Sequence, residues 1–158
     1  MKTYKTFGKS HSPRLEEIDY THIQYPVHII IGTNKRTPIF SKSECAEILI
    51  AEIERLEEPI CAWCLMPDHL HVLINPEGEE KNLLSFVKML KGRTARRINE
   101  LYGKRNIWQE SFYDHILRKD EGIKAVSLYI LNNPVRKGVT DEWQKYPYSW
   151  SRFYSKEL

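Results

Sequence analysis

The stretch Ile60-Cys61-Ala62-Trp63-Cys64-Leu65-Met66-Pro67-Asp68-His69-Leu70-His71-Val72-Leu73-Ile74-Asn75 decides how this chain folds. Ile60 to Leu65 and His69 to Asn75 are short apolar runs bounded by Pro59, Pro67 and Pro76. Each reads as a strand, because runs of this length with proline at their ends are too short for helices. Met66-Pro67-Asp68 is a short turn-like link, so the two strands pair as a hairpin. Side chains alternate faces along a strand. His69 and His71 therefore share one side, while Leu70, Val72 and Ile74 point to the other, a core side. Two imidazoles side by side on a rigid strand make half of a divalent-metal site. The same spacing suits two satisfied polar residues on a half-buried strand, and spacing alone leaves both readings open.

The flanking sequence supplies the other elements. Ile23 to Gly32 is rich in β-branched residues and reads as a first strand. Thr33 to Pro38 is a loop. Ser41 or Ser43 can cap a helix with an apolar face of Ala46, Ile48, Leu49, Ile53 and Leu56, ended by Pro59. After the loop Pro76 to Glu80, the spacing of Leu83, Leu84, Phe86, Val87, Leu90, Ala95, Ile98 and Leu101 predicts a helix from about Asn82 to Tyr102. Gly92 weakens that helix without forbidding it. Trp108 to Ile116 reads as a fourth strand. Asp120 is a candidate N-cap for a last helix, Glu121 to Asn132, which Pro134 stops by pushing its predecessor out of the helical region. The aromatic tail Tyr146-Pro147-Tyr148-Ser149-Trp150 is expected to pack back on the domain. The order is β-α-β-β-α-β, an α+β fold of the ferredoxin-like type with an antiparallel sheet and a C-terminal helix. Residues 1–22 read as a polar N-terminal extension without strong structure, and residues 23–158 as one domain, with no repeats or low-complexity tracts.

Composition narrows the class. At 158 residues, with 41% apolar and 28% charged side chains, the chain suits one globular domain with a real core. No apolar run reaches the length of a membrane span, and the N-terminus carries no apolar signal segment, so a cytoplasmic protein with no membrane partner is expected. Three cysteines, an odd and sparse count, argue against a disulfide framework. Cys61-Ala62-Trp63-Cys64 is formally a C-x-x-C. A spacing of three on a strand puts its thiols on opposite faces, however, and its order with His69 and His71 fits no common zinc site. The net charge is only +3, but residues 81–108 hold eight basic side chains against the single acid Glu100. Such clustering is the footprint of a phosphate-rich partner, whereas a merely solvated face mixes the two signs more evenly.

In the last predicted helix Tyr129 and Asn133 are four apart, so they share a face one turn from each other. Read alone, such a tyrosine is ordinarily packing and Asn-Pro a helix-ending device. Three ordered pieces give them another meaning. These are Leu65-Met66-Pro67-Asp68-His69-Leu70-His71-Val72-Leu73-Ile74, then Ile107-Trp108-Gln109-Glu110-Ser111-Phe112-Tyr113-Asp114-His115, then Tyr129-Ile130-Leu131-Asn132-Asn133-Pro134-Val135-Arg136-Lys137-Gly138. Together they resemble the single-tyrosine transposases with a His-hydrophobic-His (HUH) motif, and more closely the branch called REP-associated tyrosine transposases. Gly32 to Phe40 and Tyr146 to Trp150 also resemble that branch, and the likeness runs over residues 23–154.

The resemblance implies that His69 and His71 ligate a catalytic Mg²⁺ or Mn²⁺, that Tyr129 is the nucleophile and that Asn133 completes the metal site. Imidazoles are soft company for Mg²⁺, so Mn²⁺ is chemically at least as comfortable. The implied activity is a nick in single-stranded, hairpin-containing DNA through a covalent 5′-phosphotyrosine, followed by rejoining without ATP. The chain accordingly shows no Gly-x-x-x-x-Gly-Lys loop. Lys88, Lys91, Arg93, Arg96 and Arg97 would hold DNA phosphates. Trp108 or Tyr102 could stack on unpaired bases, with core packing as the other reading of Trp108. Tyr113 competes for the nucleophile's role. His115 fits a ligand, a phosphate contact or a structural residue. Related enzymes include monomers and homodimers. Two other classes fit parts of the pattern: a nucleic-acid-binding module without catalysis, and a metal-dependent nuclease that uses water in place of tyrosine.

Overall fold

The computed structural model describes residues 19–118 and 121–157. In chain order the elements are β1 (Val27–Gly32), α1 (Ser43–Arg55), β2 (Ile60–Met66), β3 (His69–Ile74), α2 (Leu83–Tyr102), β4 (Tyr113–Ile116), α3 (Ile123–Leu131), α4 (Asn133–Arg136) and β5 (Ser149–Ser151). Among the described residues the strands form one antiparallel sheet in the order β4-β1-β3-β2-β5. The first four strands and their two intervening helices give the expected β-α-β-β-α-β pattern. The aromatic tail does more than pack back, because it adds β5 to the β2 edge with Trp63 opposite Trp150. Tyr146 Oη donates to Leu65 O at 2.5 Å and fastens that edge.

Every residue of β1, β2 and β3 is buried, which explains their near-continuous apolar sequence. One face carries the main core, where Ile29, Ile31, Leu70 and Val72 meet Leu49 of α1 and Leu90 and Ile98 of α2. Fully burying each such side chain contributes about 1.5–3 kcal/mol. The other face is covered by α3, whose Val126 and Ile130 pack on Cys64, Leu73 and Leu117. His69 and His71 lie on this second face, so α1 and α2 sit on the side of the sheet opposite the histidine pair.

Several expected boundaries move, each for a local reason. β1 starts at Val27 because Pro26 has no N–H for the ladder, and Ile23 makes only an isolated bridge to Lys81. The fourth strand shortens to Tyr113–Ile116, and Trp108 retains only a bridge to Thr33. The carbonyls of Gln109, Glu110 and Ser111 turn instead to Lys91 Nζ, at 2.7, 3.3 and 3.3 Å. Lys42 occupies the N-cap of α1, with no side-chain cap bond, in place of a serine. α3 starts after Gly122, and the expected cap Asp120 lies outside the described residues. Pro134 does not simply stop the chain's last helix. The helix breaks at Asn132, and Pro134 sits in the first turn of α4, where its fixed φ and missing N–H are tolerated.

Of the expected N-terminal extension, residues 1–18 lie outside the described part, but Tyr20 is in the core and Asp19–His22 lead into it. Cys61 and Cys64 both join the apolar cluster beneath α3 rather than lying on opposite faces. A register shift between Ile60 and Ala62 breaks the alternation there. All three cysteines are free and buried. Among the described residues no helix is long and apolar enough to cross a membrane.

The α2 N-terminus is set by Asn82, whose side chain accepts from Ser85 N at 3.0 Å, and its C-terminus by Gly103 at φ 61°. Asn82→Ala should cost about 1 kcal/mol in urea unfolding and Asn82→Gly only a few tenths, because glycine keeps the cap's backbone accessible. Equal losses would show that this cap bond does not act on stability.

Candidate active site

The register places the candidate residues in rows across the α3 face. One row runs Tyr113, Ile30, His71, Cys64, Ser149, and the next runs His115, His28, Leu73, Ala62, Ser151. His69 lies one step beyond His71 on the same face, opposite Gly32 and Met66. His69 and His71 are only 4% and 5% exposed, and His28 is fully buried. A buried polar side chain is tolerated when it is hydrogen-bonded, and each of the three rings is bonded through at least one nitrogen.

Their partners orient both rings the same way. His69 Nδ1 lies 2.6 Å from Asp68 Oδ1, and Asp68 Oδ2 accepts from Arg36 Nε at 3.0 Å. Asp68 is held below the usual carboxylate range, first by its bond to His69, with Arg36 assisting. His71 Nδ1 lies 3.0 Å from His28 Nε2. With both Nδ1 atoms engaged, the two Nε2 atoms face each other at 3.1 Å. The Asn133 amide lies 3.3 Å from His69 Nε2. Two nitrogens bound at about 2.1 Å and a right angle to one cation stand about 3 Å apart, so this donor set fits a small divalent ion. Carboxylate-to-histidine bonds of the Asp68–His69 kind commonly orient metal ligands. Asn133 would offer Oδ1, a rotation that exchanges the two amide ends. Among the described residues no three His, Cys, Asp or Glu side chains converge as a cage. Burial first, then the neighbouring His28, His69, Arg136 and Lys137, pushes the His71 pKa well below its ordinary value, leaving the ring in its neutral, ligand-competent form.

Tyr129 is half-buried on α3 over this face, its ring edge-on to His28 with centroids 6.5 Å apart. Despite the helix break, Asn133 follows within one turn, because Asn132 N still bonds Leu128 O at 3.0 Å. Arg136 ties the two together. Its guanidinium carbon lies 3.7 Å over the Tyr129 ring, Nη1 donates to Tyr129 O at 2.7 Å and Nη2 reaches Asn133 Oδ1 at 3.4 Å. Tyr113 sits on the same face, but burial, Asp114 and Tyr129 push its phenol above the ordinary range, which weakens it as a nucleophile. His115 Nε2 pairs with Glu121 Oε2 at 2.8 Å and bridges β4 to the start of the α3 segment.

Sequence reasoning missed His28 and Arg136. His28 had a readable signal, an imidazole inside an otherwise apolar strand. Arg136 had none, because an exposed-looking cation at a helix end is ordinary.

The structure does not bring the basic residues of α2 to this face. Lys91 is engaged with the 109–111 carbonyls, and Arg97 Nη1 pairs with buried Glu52 Oε1 at 3.1 Å, joining α2 to α1. Arg96 makes an exposed contact with Glu100 at 3.7 Å, while Lys88 and Arg93 face solvent. Trp108 packs on Phe40, with ring centroids 5.3 Å apart, as its core reading expected. Tyr102 remains 42% exposed, with Lys42 Nζ 4.7 Å above its ring.

A buried histidine pair on the central strand, facing a helix that carries tyrosine and asparagine one turn apart, is the arrangement expected from the single-tyrosine transposase resemblance. The chain belongs to the IS200-like transposase family, whose model matches residues 21–133. Within it the relatives are of the REP-associated kind. A REP-associated tyrosine transposase of Escherichia coli strain K12 is 30% identical over 91 residues, covering 57% of this chain and 52% of that protein. A Haemophilus influenzae protein classed with the REP-associated tyrosine transposases is 29% identical over 98 residues, covering 56% of each. The chain thus spans little more than half the length of these relatives. A solved structure of a REP-associated tyrosine transposase bound to a REP hairpin matches the fold with a TM-score of 0.64 at 24% identity, covering 85% of this chain and 82% of that one.

Burial, and after it the charges of His115 and Arg136, lowers the His28 pKa to about 3. An unfolded histidine titrates near 6.5. Below that pH the unfolded chain binds more protons than the folded one, so the folded state loses stability as pH falls from about 6.5 toward 3. In chelator-treated protein His28 should cost on the order of 2 kcal/mol between pH 7.5 and pH 5 in urea unfolding, and His28→Gln should remove that component of the pH slope. An unchanged slope would show that His28 is not the group being forced to charge.

Proposed function

We propose that this chain nicks and rejoins single-stranded, hairpin-containing DNA through a covalent 5′-phosphotyrosine on Tyr129. The observation that carries this reading is the convergence of His69 Nε2, His71 Nε2 and the Asn133 amide beneath the helix that bears Tyr129. Membership of the IS200-like transposase family supports it, and the REP hairpin in the solved relative supports hairpin DNA as the substrate class.

His69, His71 and Asn133 would hold Mg²⁺ or Mn²⁺. When bound, the cation polarises the scissile phosphate as a Lewis acid and offsets its charge. The Tyr129 oxygen attacks phosphorus and loses its proton, and the bond to the 3′ oxygen breaks as that oxygen takes a proton and leaves as a hydroxyl. The phosphotyrosine retains the phosphoester, so a 3′ hydroxyl can later attack it, restoring the strand and the phenol. Arg136 holds the Tyr129 ring by its face and carbonyl, limiting the directions from which the phenol can approach the phosphate.

Lys88, Arg93 and Arg96 supply phosphate contacts on the α2 surface, remote from the nick, while Lys91 and Arg97 serve the fold. Lys88→Ala and Arg93→Ala should each reduce the slope of log affinity against log salt for hairpin binding by about one. Lys91→Ala should instead lower the urea midpoint, releasing three backbone carbonyls.

With Mn²⁺ or Mg²⁺ and a labelled DNA hairpin, the wild type should form a metal-dependent covalent adduct on a denaturing gel, and Tyr129→Phe should form none. Cleavage by both without an adduct would establish a hydrolytic nuclease. An adduct in both would move the nucleophile, with Tyr113 next in line. Binding without cleavage by the wild type would make the chain a binding module.

A further inference from the structure

The exposed cations of α2 lie on one side of the sheet and the histidine pair on the other. A DNA molecule that touches both must pass round an end of the sheet. The two ends differ in charge. Where β3 finishes, Glu57, Glu58, Glu77 and Glu79 line one hollow beside Lys81. Where β3 begins, next to His69, the loops and helix ends carry Lys35, Arg36, Lys42, Lys104 and Arg105. The acids at this second end are exposed Glu44 and Glu110 and the Asp68 carboxylate, which is already bonded to Arg36 and His69. A polyanion is repelled from the first end and drawn to the second.

The loop that follows β1 is shaped to present a cation there. Lys35 and Arg36 both have left-handed backbones, with φ 53° and 56°. Side chains other than glycine adopt that region rarely, and asparagine and aspartate more readily than lysine. Two such residues in succession persist only where their surroundings hold them. Here Thr33 Oγ1 is shared between Thr37 O at 2.8 Å and Asp68 O at 3.0 Å. Thr37 Oγ1 donates to Asn34 O at 3.0 Å, and Arg36 Nε donates to Asp68 Oδ2 at 3.0 Å. These bonds draw Arg36 onto the Asp68 turn and leave Lys35 exposed. A turn made for stability alone is better served by glycine or asparagine at that position. Lysine adds a positive charge to the turn despite its unfavourable φ.

Arg105 belongs to the same surface. After α2 the chain is left-handed at Gly103 and Asn106, with exposed Arg105 between them. Asn34 N donates to Ile107 O at 2.9 Å, Gln109 N donates to Gly32 O at 2.9 Å, and Thr33 bridges Trp108, so the two loops are fastened together. Arg36, Arg55, Arg96 and Arg97 each meet a carboxylate. Among the described residues Lys35 and Arg105 form no ion pair, so both charges are open to a partner.

We propose that Lys35 and Arg105 form a phosphate rail that leads the unpaired strand flanking the hairpin round the end of the sheet to the histidine pair. This rests on the hairpin-nicking reading given above. The two side chains touch backbone phosphates and not the reacting atoms, so they are binding residues. They position the strand without reading its bases. The bonds that hold the Lys35 turn fix the stem of its side chain, which lessens the order it must gain on binding.

The test measures binding of the full chain to two labelled DNA probes by fluorescence anisotropy across a salt series, in EDTA so that no strand is cut. One probe is a blunt hairpin, and the other is the same hairpin with oligothymidine flanks at both ends. For the wild type, log affinity should fall more steeply with log salt on the flanked probe. Lys35→Asn keeps a residue suited to the left-handed turn and removes only the charge. Arg105→Gln removes the other. Each should lower the slope on the flanked probe by about 0.7, the value for one single-strand phosphate contact, and leave the blunt probe unchanged. Lys35→Arg should keep the wild-type slope. Equal losses on both probes would place these side chains on the hairpin stem and overturn the proposal, as would no loss on either. If Lys35→Asn lowers the urea midpoint, Arg105→Gln carries the test alone. A wild type that binds both probes with the same slope overturns the rail and leaves the nicking reading to the adduct gel. A wild type that binds neither overturns both.

Discussion

Strand β3 is hydrogen-bonded along both edges, to β1 on one side and β2 on the other, and both its faces are buried. A one-residue slip in either pairing would move every side chain of β3 to the opposite face of the sheet. His69 and His71 would then enter the main core, and Leu70 and Val72 would lie beneath α3. Such a slip strands charge-capable rings among aliphatic side chains, so hydrophobic burial itself enforces the register that aligns the histidines. The site is therefore held by the most strongly determined part of the fold rather than by a loop. The same pairing sets His28 diagonally beside His71, and the two-residue Pro67-Asp68 turn sets Asp68 beside His69.

The rigid half of the site is answered by a less regular half. Tyr129 and Asn133 come from a helix that breaks at Asn132 and resumes with Pro134 in its first turn. Backbone bonds across the break keep the two side chains within a turn of each other, and Arg136 links them through a ring contact and two hydrogen bonds. Arg136 is itself exposed, so the contacts that aim Tyr129 lie at the solvent boundary. The imidazoles below are almost closed to water. This division suits the proposed function, in which a fixed cation site would lie beneath a nucleophile open to incoming DNA.

Charge is divided in a comparable way. The basic run of α2 looks uniform in sequence, yet its members do different things. Lys91 gathers the carbonyls of a loop that would otherwise need a strand partner, and Arg97 neutralises buried Glu52 between α1 and α2. Arg55 Nη1 also reaches Glu52 Oε1, at 3.4 Å, so two arginines share this buried carboxylate, while an exposed contact such as Arg96 with Glu100 contributes little. The α2 face and the histidine face are separated by the thickness of the sheet, so the basic side chains of α2 lie apart from the histidine pair.

Much of this was legible in the sequence because it depends on local periodicity. Alternation placed His69 and His71 on one side of a strand, a spacing of four put Tyr129 near Asn133, and apolar spacing gave α2 to within a residue of its ends. These follow from backbone geometry that neighbouring residues share. The shortening of β4, the extra strand β5 and the bulge at Cys61 depended on who was available to pair, which no local pattern states. Proline misled in one place, since Pro134 starts a helical turn as readily as it ends one. Only the tertiary structure brought His28 to His71 and Arg36 to Asp68, and only it sent the basic helix to the far face. Hydrogen bonds between residues 43 positions apart, such as His28 with His71, are fixed by strand order and register across the sheet, and the sequence determines those only by way of the completed fold.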